Sequence, residues 1–214
     1  MRMRRKPNLA ARIERCSQLL IMEPNIHRGS WLQEFGYSEL WVEIGCGKGR
    51  FTVEIAKSEP EVFFVALEKS ENVLVIALER AIAEGLQNVR FVNNFADNLI
   101  DFFAPGEISR LYINFCDPWP SNRHSKRRLT DRRFLDFYWN VLTPGGELHL
   151  KTDNLPLFEF SLLELKHCGF VMLVITHDLH NISPVGIMTD YEQKFFDQGR
   201  VIYQCIAAKA PLAT

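Results

Sequence analysis

Three glycines at alternate positions follow an apolar run and precede a segment of helical character. They are Gly45, Gly47 and Gly49, in the sequence Glu-Ile-Gly-Cys-Gly-Lys-Gly-Arg at 43–50. Glycines spaced in this way allow a tight turn and let a ligand approach the backbone, and the helix start behind them offers free N–H groups. The dinucleotide pattern G-x-G-x-x-G would need glycine at position 50, where the chain has Arg50. The spacing therefore favours a ligand-binding turn that differs from a nicotinamide site.

Two acidic residues accompany this turn. Glu68 ends the next apolar run, 21 residues after Gly47, about where an acid accepts hydrogen bonds from both ribose hydroxyls of a nucleoside. A surface charge paired with Lys69 or Arg80 is the alternative interpretation. Glu43 lies inside an apolar run, where an unpaired carboxylate is costly. We therefore expect it to bind either backbone N–H groups of the turn or a ligand ammonium.

A second loop combines an acid, an indole and two prolines in the sequence Asn-Phe-Cys-Asp-Pro-Trp-Pro at 114–120. Each proline fixes its own φ and restricts the residue before it, so the loop is stiff. A rigid carboxylate at Asp117 beside Trp119 suits a flat heteroaromatic base, which would stack on the indole while the carboxylate accepts from its N–H edge. The alternative is a proline-rich turn with a packed tryptophan.

The basic residues are unevenly distributed. The 214 residues include 25 Lys and Arg against 26 Asp and Glu, so the total charge is close to neutral. Segments 1–15 and 121–133 together nevertheless hold twelve basic residues and only two acids. Such clusters on an otherwise acidic chain create a local field that attracts a polyanion such as a nucleic acid. Solvated surface faces are the alternative.

Composition disfavours several classes of protein. No apolar run approaches the roughly 20 residues of a membrane span, and the charged N-terminus lacks the apolar stretch of a signal peptide. The five cysteines are scattered and form no C-x-x-C pair, which argues against a disulfide framework and a zinc site. His177 and His180 have no acid or cysteine cluster to complete a metal set. We expect a cytoplasmic protein without membrane contact or metal.

Apolar runs of strand length alternate with helical segments. Helices are predicted at 70–84, 131–142 and 155–168, each with apolar periodicity and a glycine-containing turn after it. This order predicts a single-domain α/β fold with a doubly wound, mainly parallel, seven-stranded sheet. In such sheets ligands bind beyond the carboxyl ends of the strands, where strand order reverses. The predicted strands are 40–44, 62–67, 89–93, 109–114, 146–151, 170–176 and 200–207.

Four segments together resemble the bacterial tRNA (guanine-N7-)-methyltransferase family. The segments 117–129 and 188–195 are specific to that family, whereas 43–50 is shared by many class I S-adenosylmethionine methyltransferases; the fourth is Lys-Thr-Asp-Asn at 151–154. The resemblance covers nearly the whole chain. It implies S-adenosylmethionine as cofactor, tRNA as partner, and methyl transfer to N7 of a guanosine in the variable loop.

The resemblance also implies an organisation of the chain and roles for particular residues. Residues 39–214 would form the Rossmann-like methyltransferase domain, and the basic segment 1–38 would pack on it and contribute to RNA binding. Asp117 would be catalytic. Taken together with the residues of the glycine turn, the resemblance gives an expected cofactor-binding set of Glu43, Gly45, Gly47, Glu68, Asn94 and Asp117. The expected substrate-binding set is Trp119, Ser121, Arg123, Asp153, Thr189, Asp190, Tyr191 and Glu192.

This chain departs from the family pattern at two positions. Phe95 stands where the family has an acid or amide that holds the adenine, which leaves Asn94 or Asp97 for that contact. Ser121 stands where a lysine is usual, so its substrate contact is in question, and Arg123 could compensate.

The last two motifs also have a structural interpretation that is compatible with substrate contact. Asp153 and Asn154 are suited to cap the helix that begins near Leu155. Thr189 and Glu192 have the spacing of a capping box.

Other functions remain open at this point. A non-catalytic RNA-binding module would explain the basic clusters but leave the glycine turn, Glu43 and Glu68 unused. A methyltransferase for another RNA or a small molecule shares the cofactor, and a nicotinamide oxidoreductase explains only the glycine turn. The sequence is compatible with either a monomer or a homodimer.

Overall fold

The computed structural model describes residues 6–182 and 186–210, so Arg2, Arg4 and Arg5 of the first basic segment lie outside the described residues. In the described part, helices cover both faces of an eight-stranded sheet. Its strands are β1 (Leu20–Ile21), β2 (Glu39–Ile44), β3 (Val62–Leu67), β4 (Val89–Val92), β5 (Ile108–Asn114), β6 (Leu142–Thr152), β7 (Val171–Thr176) and β8 (Tyr203–Ala208).

Nine α-helices connect or flank these strands in the described residues. Short 3₁₀ turns also occur between these elements, and one of them, Asn122–Arg127, belongs to the second basic segment. The helices are α1 (Leu9–Arg15), α2 (Trp31–Phe35), α3 (Arg50–Ser58), α4 (Glu71–Ala83), α5 (Leu99–Phe102), α6 (Arg132–Val141), α7 (Leu155–His167), α8 (Leu179–Ile182) and α9 (Asp190–Asp197). Within these ranges no helix is long and apolar enough to span a membrane.

The strand order is β1-β4-β3-β2-β5-β6-β8-β7, and only the pairs that involve β8 are antiparallel. The chain winds outward from β2 through β3 to β4, then returns to β5 and winds the other way to β6. This confirms the predicted doubly wound α/β fold. The predicted count of seven strands is wrong by one, because β1 has two residues and shows no periodicity that a sequence pattern could reveal.

Alternate residues of the central strands point to opposite faces of the sheet. Leu40, Val42 and Ile44 of β2 belong to a buried core with α5, α6 and α7, while Trp41 belongs to a second core with α3 and α4. Because both faces are covered, β3 is buried at every position. The almost continuous apolar runs of the sequence follow from this double burial.

The predicted helix starts are largely confirmed. Asp131 accepts a hydrogen bond from the Arg133 N–H, and Asn154 accepts one from Leu157 at 2.9 Å. These bonds satisfy N–H groups that have no partner within their own helix. Ser70 occupies the N-cap position of α4, where the helix is predicted to begin, and its side chain makes no capping hydrogen bond.

The segment before β2 packs on the sheet. Trp31 is fully buried and donates from Nε1 to the carbonyl of Phe102 at 2.9 Å. Arg12 on α1 makes a two-point ion pair with Glu79 on α4, at 2.7 and 2.6 Å. This arginine of the first basic segment therefore binds the protein itself.

Candidate cofactor and substrate site

The glycine turn joins β2 to α3 at the point where the strand order reverses. Gly45, Gly47 and Gly49 have φ values of +79°, +58° and +76°, which favour glycine. A Cβ on Gly49 would lie 2.5 Å from the Cβ of Ala77, so this glycine permits α3 to approach α4. A Cβ on Gly45 or Gly47 would meet no atom within 4 Å. The first two glycines therefore border open space where a ligand can approach.

Glu68 follows β3 and binds the glycine turn. Its carboxylate accepts from the N–H of Gly47 at 3.2 Å and from that of Ser70 at 2.8 Å. Neither cation that the sequence offered as a partner pairs with it, because Lys69 faces Asp117 and Arg80 binds elsewhere. The alternative of a surface ion pair is therefore wrong, and the carboxylate lies beside the open side of the turn.

Glu43 is buried at the same edge of the sheet, with 2% of its surface exposed. The hydroxyl of Thr52 donates to Oε2, and the amide of Asn114 donates to Oε1 at 3.0 Å. The expectation of backbone N–H partners from the glycine turn is wrong, since the first turn of α3 and the end of β5 supply these side chains instead. Burial raises the pKa of Glu43 to about 7, although both hydrogen bonds and the charge of Lys151 act in the opposite direction.

Asn114 was not assigned a role from the sequence. It is buried, and its Oδ1 has no hydrogen-bond partner in the described part of the chain. A buried acceptor without a donor is costly, which points to a group that a ligand would supply. The signal in the sequence is a polar residue that closes an apolar strand.

The loop that carries Asp117 has an unusual backbone. Phe115 and Trp119 have φ values of +53° and +41°, and Asn8 is the third residue of this kind among the described non-glycine residues. Left-handed backbone at bulky residues is strained and occurs at functional sites. The Asp117 side chain is 71% exposed, and its Oδ2 lies 3.8 Å from Nζ of Lys69. The loop thus presents a carboxylate to the solvent beside the end of β3.

The indole of Trp119 is half-buried and already has neighbours. The guanidinium of Arg127 lies over the ring at 4.9 Å from the centroid, and His124 contacts it edge-on at 5.7 Å. A base could therefore stack only on the opposite face. Ser121 and Arg123 are exposed at the 3₁₀ turn that follows.

The second basic segment presents fewer free cations than its sequence predicts. Arg128 is buried, donates to the carbonyl of Trp119 and stacks on Phe160. The acids of this region bind two more arginines: Arg132 pairs with Glu164, and Arg133 pairs with Asp131. The exposed cations of the segment without an acidic partner among the described residues are Arg123, Lys126 and Arg127.

The loop after β4 places Asn94 and Phe95 near the edge of the sheet. Oδ1 of Asn94 accepts from the N–H of Phe95 at 2.8 Å and from Asn98 at 2.7 Å, which leaves its Nδ2 as the group that can donate to a ligand. Phe95 is 58% exposed and Asp97 is exposed. Asn94 and Asp97, the two candidates for the adenine contact, are therefore both accessible.

The segment 189–192 forms the start of α9. Thr189 and Glu192 make the predicted capping box, and Glu192 is 1% exposed. Asp190 binds Arg80 through both carboxylate oxygens, at 2.7 and 3.1 Å, and Tyr191 is 62% exposed. Of these four residues, Tyr191 is the one whose side chain is mostly accessible. Asp153 pairs with Arg200 at 3.2 Å, and Asn154 provides the helix cap.

Three contacts bring the expected cofactor residues together. The Asn114–Glu43 bond joins β5 to β2, the Gly47–Glu68 bond joins the turn to β3, and Lys69 bridges toward Asp117. These contacts place Glu43, Glu68 and Asp117 at the same edge of the sheet. Across the described residues, no group of three or more His, Cys, Asp or Glu side chains is arranged to hold a metal ion.

A large cleft lies away from this network. It has a volume of about 1070 Å³ and is lined by residues of α5, α6 and the segment before α2, including Arg28, Phe103 and Asn140. None of the residues in the network described above lines it. The site is defined by the hydrogen-bonded side chains at the strand ends and not by the size of a depression.

Comparison with known proteins identifies the fold class. A family model described as "Putative methyltransferase" matches residues 38–205. The 16S rRNA methyltransferase KamB superposes with a TM-score of 0.65 at 14% identity, over 86% of this chain and 94% of that one. A 16S rRNA (adenine(1408)-N(1))-methyltransferase from Catenulisporales acidiphilia gives 0.60 at 15%, over 86% and 92%. The fold and the family model define a Rossmann-like class I methyltransferase.

Sequence relatives identify the family within this class. A tRNA (guanine-N(7)-)-methyltransferase from Geobacillus kaustophilus is 46% identical over 99% of this chain and 98% of its own length. A protein of the same name from Bacillus cytotoxicus is 45% identical over 95% of both chains. The chain belongs to the tRNA (guanine-N7-)-methyltransferase family.

The buried Glu43 predicts a specific pH dependence of stability. Since its pKa in the folded state is raised to about 7, its contribution is fully present below the pKa of the unfolded chain and is lost as pH rises through 7. Glu43→Gln removes this ionisation. Between pH 5 and pH 8 the free energy of unfolding of the wild type, relative to the variant, should fall by about 2–3 kcal/mol. Urea unfolding at both pH values measures it, and parallel pH profiles would contradict the burial.

Proposed function

We propose that this protein transfers the methyl group of S-adenosylmethionine to N7 of a guanosine in the variable loop of tRNA. The observation that carries the proposal is the 46% identity to a tRNA (guanine-N(7)-)-methyltransferase over 99% of the chain. The side chains at the strand ends fit the chemistry, and the basic residues fit an RNA substrate. The scattered, unpaired cysteines are in keeping with a reducing cytoplasm.

The residues present fit this cofactor. Open space beside Gly45 and Gly47 admits a ligand close to the backbone, and the Glu68 carboxylate beside it suits ribose hydroxyls. The buried Oδ1 of Asn114 lacks a donor, and the methionine ammonium of the cofactor is a donor of the right charge for the neighbouring Glu43. Nδ2 of Asn94 would donate to a ring nitrogen of the adenine. The bound cofactor supplies a methyl group already activated on a sulfonium.

The acceptor needs little chemical help. Guanine N7 is a neutral lone pair with no proton to lose, so no strong general base is required. Catalysis then consists mostly of positioning. Asp117 would accept from the N–H edge of the guanine and favour the positive charge that develops on the methylated ring. Its exposure allows a base to reach it from outside the protein.

Thiol chemistry at the site is disfavoured. Cys116 directly precedes Asp117, and burial raises its pKa to about 12. Burial also raises the pKa of Cys46 in the glycine turn well above its ordinary value. Neither thiol would be a thiolate near neutral pH, so neither is an effective nucleophile. This agrees with direct transfer to the lone pair of N7.

The product identifies the reaction. Purified protein is incubated with methyl-labelled S-adenosylmethionine and unmodified tRNA, and the labelled nucleoside is mapped within the tRNA. N7-methylguanosine in the variable loop is expected. A different labelled nucleoside would reject the proposed specificity. An RNA-binding module without catalysis would give no labelled nucleoside and no heat of binding for S-adenosylmethionine by calorimetry.

Asp117→Asn should lower kcat by about 100-fold, because the carboxylate is replaced where positive charge develops. The Kd for tRNA should stay within about twofold, since one exposed side chain contributes little to a large RNA interface. Steady-state kinetics and filter binding give the two numbers. Asp101→Asn, an exposed aspartate on α5 outside the site, is the control. An unchanged kcat with weakened RNA binding would reverse the assignment.

The affinity for tRNA should fall steeply with salt, because Arg123, Lys126 and Arg127 replace counterions on phosphates. Lys126→Ala should reduce the slope of log Kobs against log salt by about 0.7, the value for one phosphate contact on a flexible single strand. Lys57 lies in the last turn of α3, and its ammonium pairs with Glu84. Lys57→Ala should therefore leave the slope unchanged. Equal slopes for all three proteins would exclude Lys126 from the RNA contact.

A further inference from the structure

Lys151 is a buried cation for which neither the sequence motifs nor the proposed chemistry gives a role. It lies near the end of β6, and 8% of its surface is exposed. Its Nζ donates to both carboxylate oxygens of Glu192, at 3.2 and 3.1 Å, and to the carbonyl of Ile187 at 3.1 Å. The ammonium thereby joins the sheet to both α9 and the segment that leads into it.

Glu192 is enclosed by the protein on this inner side. Its carboxylate also accepts from the N–H of Thr189, and Nε2 of His180 lies 3.4 Å from Oε1. The imidazole of His180 packs edge-on against Phe196 of α9 at 4.8 Å. With a lysine, an imidazole and a helix cap around it, Glu192 has no accessible side from which to bind a substrate.

The outer side of the same helix turn borders the site. Asp190 binds Arg80, and the same guanidinium donates to the carbonyl of Lys48 in the glycine turn at 3.1 Å. Arg50, the first residue of α3, donates to Gln193 at 3.3 Å. Tyr191 follows Asp190 in this turn, and most of its surface is exposed. The position of Tyr191 therefore depends on how the first turn of α9 is held.

We propose that Lys151 is a positioning residue that acts through Glu192, and that this buried ion pair sets the first turn of α9, and with it Tyr191, against the RNA substrate. The inference rests on the proposed function and deepens it, because Glu192 then serves the substrate from inside the protein. Removing one partner of a buried pair leaves an uncompensated charge, whereas replacing both partners with neutral groups is often tolerated. That asymmetry makes the pair testable.

The test compares Lys151→Met, Glu192→Gln and the double variant. Lys151→Met should raise KM for tRNA about tenfold and leave kcat within about twofold, because the substrate surface moves and the reacting groups do not. The Kd for S-adenosylmethionine, measured by calorimetry, should change much less than KM for tRNA, because Lys151 acts on Glu43 only through its charge. In the double variant KM should return to within about threefold of the wild type, because no buried charge is left alone.

Lys209→Met is the matched control. This lysine also donates to a backbone carbonyl, that of Leu142 at 2.7 Å, and lies over Trp139, but it follows β8 and contacts the opposite end of β6. Its loss should lower thermal stability without changing KM for tRNA. The proposal is overturned if Lys209→Met raises KM as much as Lys151→Met, or if the effects of the two single variants simply add in the double variant.

Hydrogen exchange separates this proposal from the proposed function. Amides of α9 should exchange faster in Lys151→Met and recover protection in the double variant, whether or not the protein methylates tRNA. Absence of product with the wild type would reject the proposed function and leave the exchange result to decide the role of the pair. Unchanged protection of α9 in Lys151→Met would reject the positioning role even in an active enzyme.

Discussion

The site is organised around the buried carboxylate of Glu43 on β2, at the point where the strand order of the sheet reverses. An isolated ionised acid in the interior is strongly unfavourable, so Glu43 requires donors in fixed places. Thr52 reaches it from the first turn of α3, and Asn114 reaches it from the end of β5. These two bonds fix the helix that follows the glycine turn and the register of the strand that leads to Asp117. The glycine turn and the Asp117 loop, which follow the paired strands β2 and β5, are both connected to this one buried acid.

The strained loop after β5 is supported from the neighbouring strand. The N–H of Phe115, which has left-handed backbone, donates to the carbonyl of Lys151 at 2.9 Å. The ring of Phe115 lies 6.1 Å from that of Phe195 on α9. Strain of this kind persists only where surrounding contacts determine the conformation. Lys151 thus contributes its carbonyl to the Asp117 loop and its ammonium to α9, so one residue of β6 links both parts of the substrate side.

Much of the fold and part of the site could be predicted from the sequence, because local patterns determine them. Strands buried on both faces show as apolar runs, and the caps at Asp131, Asn154 and Thr189 show as short-range spacing. The hydrogen-bond partners of Glu43 and Glu68 and the burial of Arg128 could not be predicted, because tertiary packing determines them. Counting arginines gives the charge of a segment but not which of them another side chain has already neutralised.

Glu43 and Asp117 are both carboxylates, and the difference in their burial suits them to different tasks. Glu43 is almost fully buried, and desolvation raises its pKa to about 7, so its charge state can respond to a cationic ligand that enters beside it. Asp117 keeps most of its contact with water, and its Oδ2 lies 3.8 Å from Nζ of Lys69. A carboxylate that must meet a base arriving from solvent gains from this exposure, because it avoids the cost of burial in the free enzyme. In the proposed reaction the bound guanine would desolvate Asp117, and the interaction would become strongest as positive charge develops on the ring. In the proposed reaction the exposure of Asp117 would suit a base that arrives from solvent, and the burial of Glu43 would suit a cationic group of the cofactor.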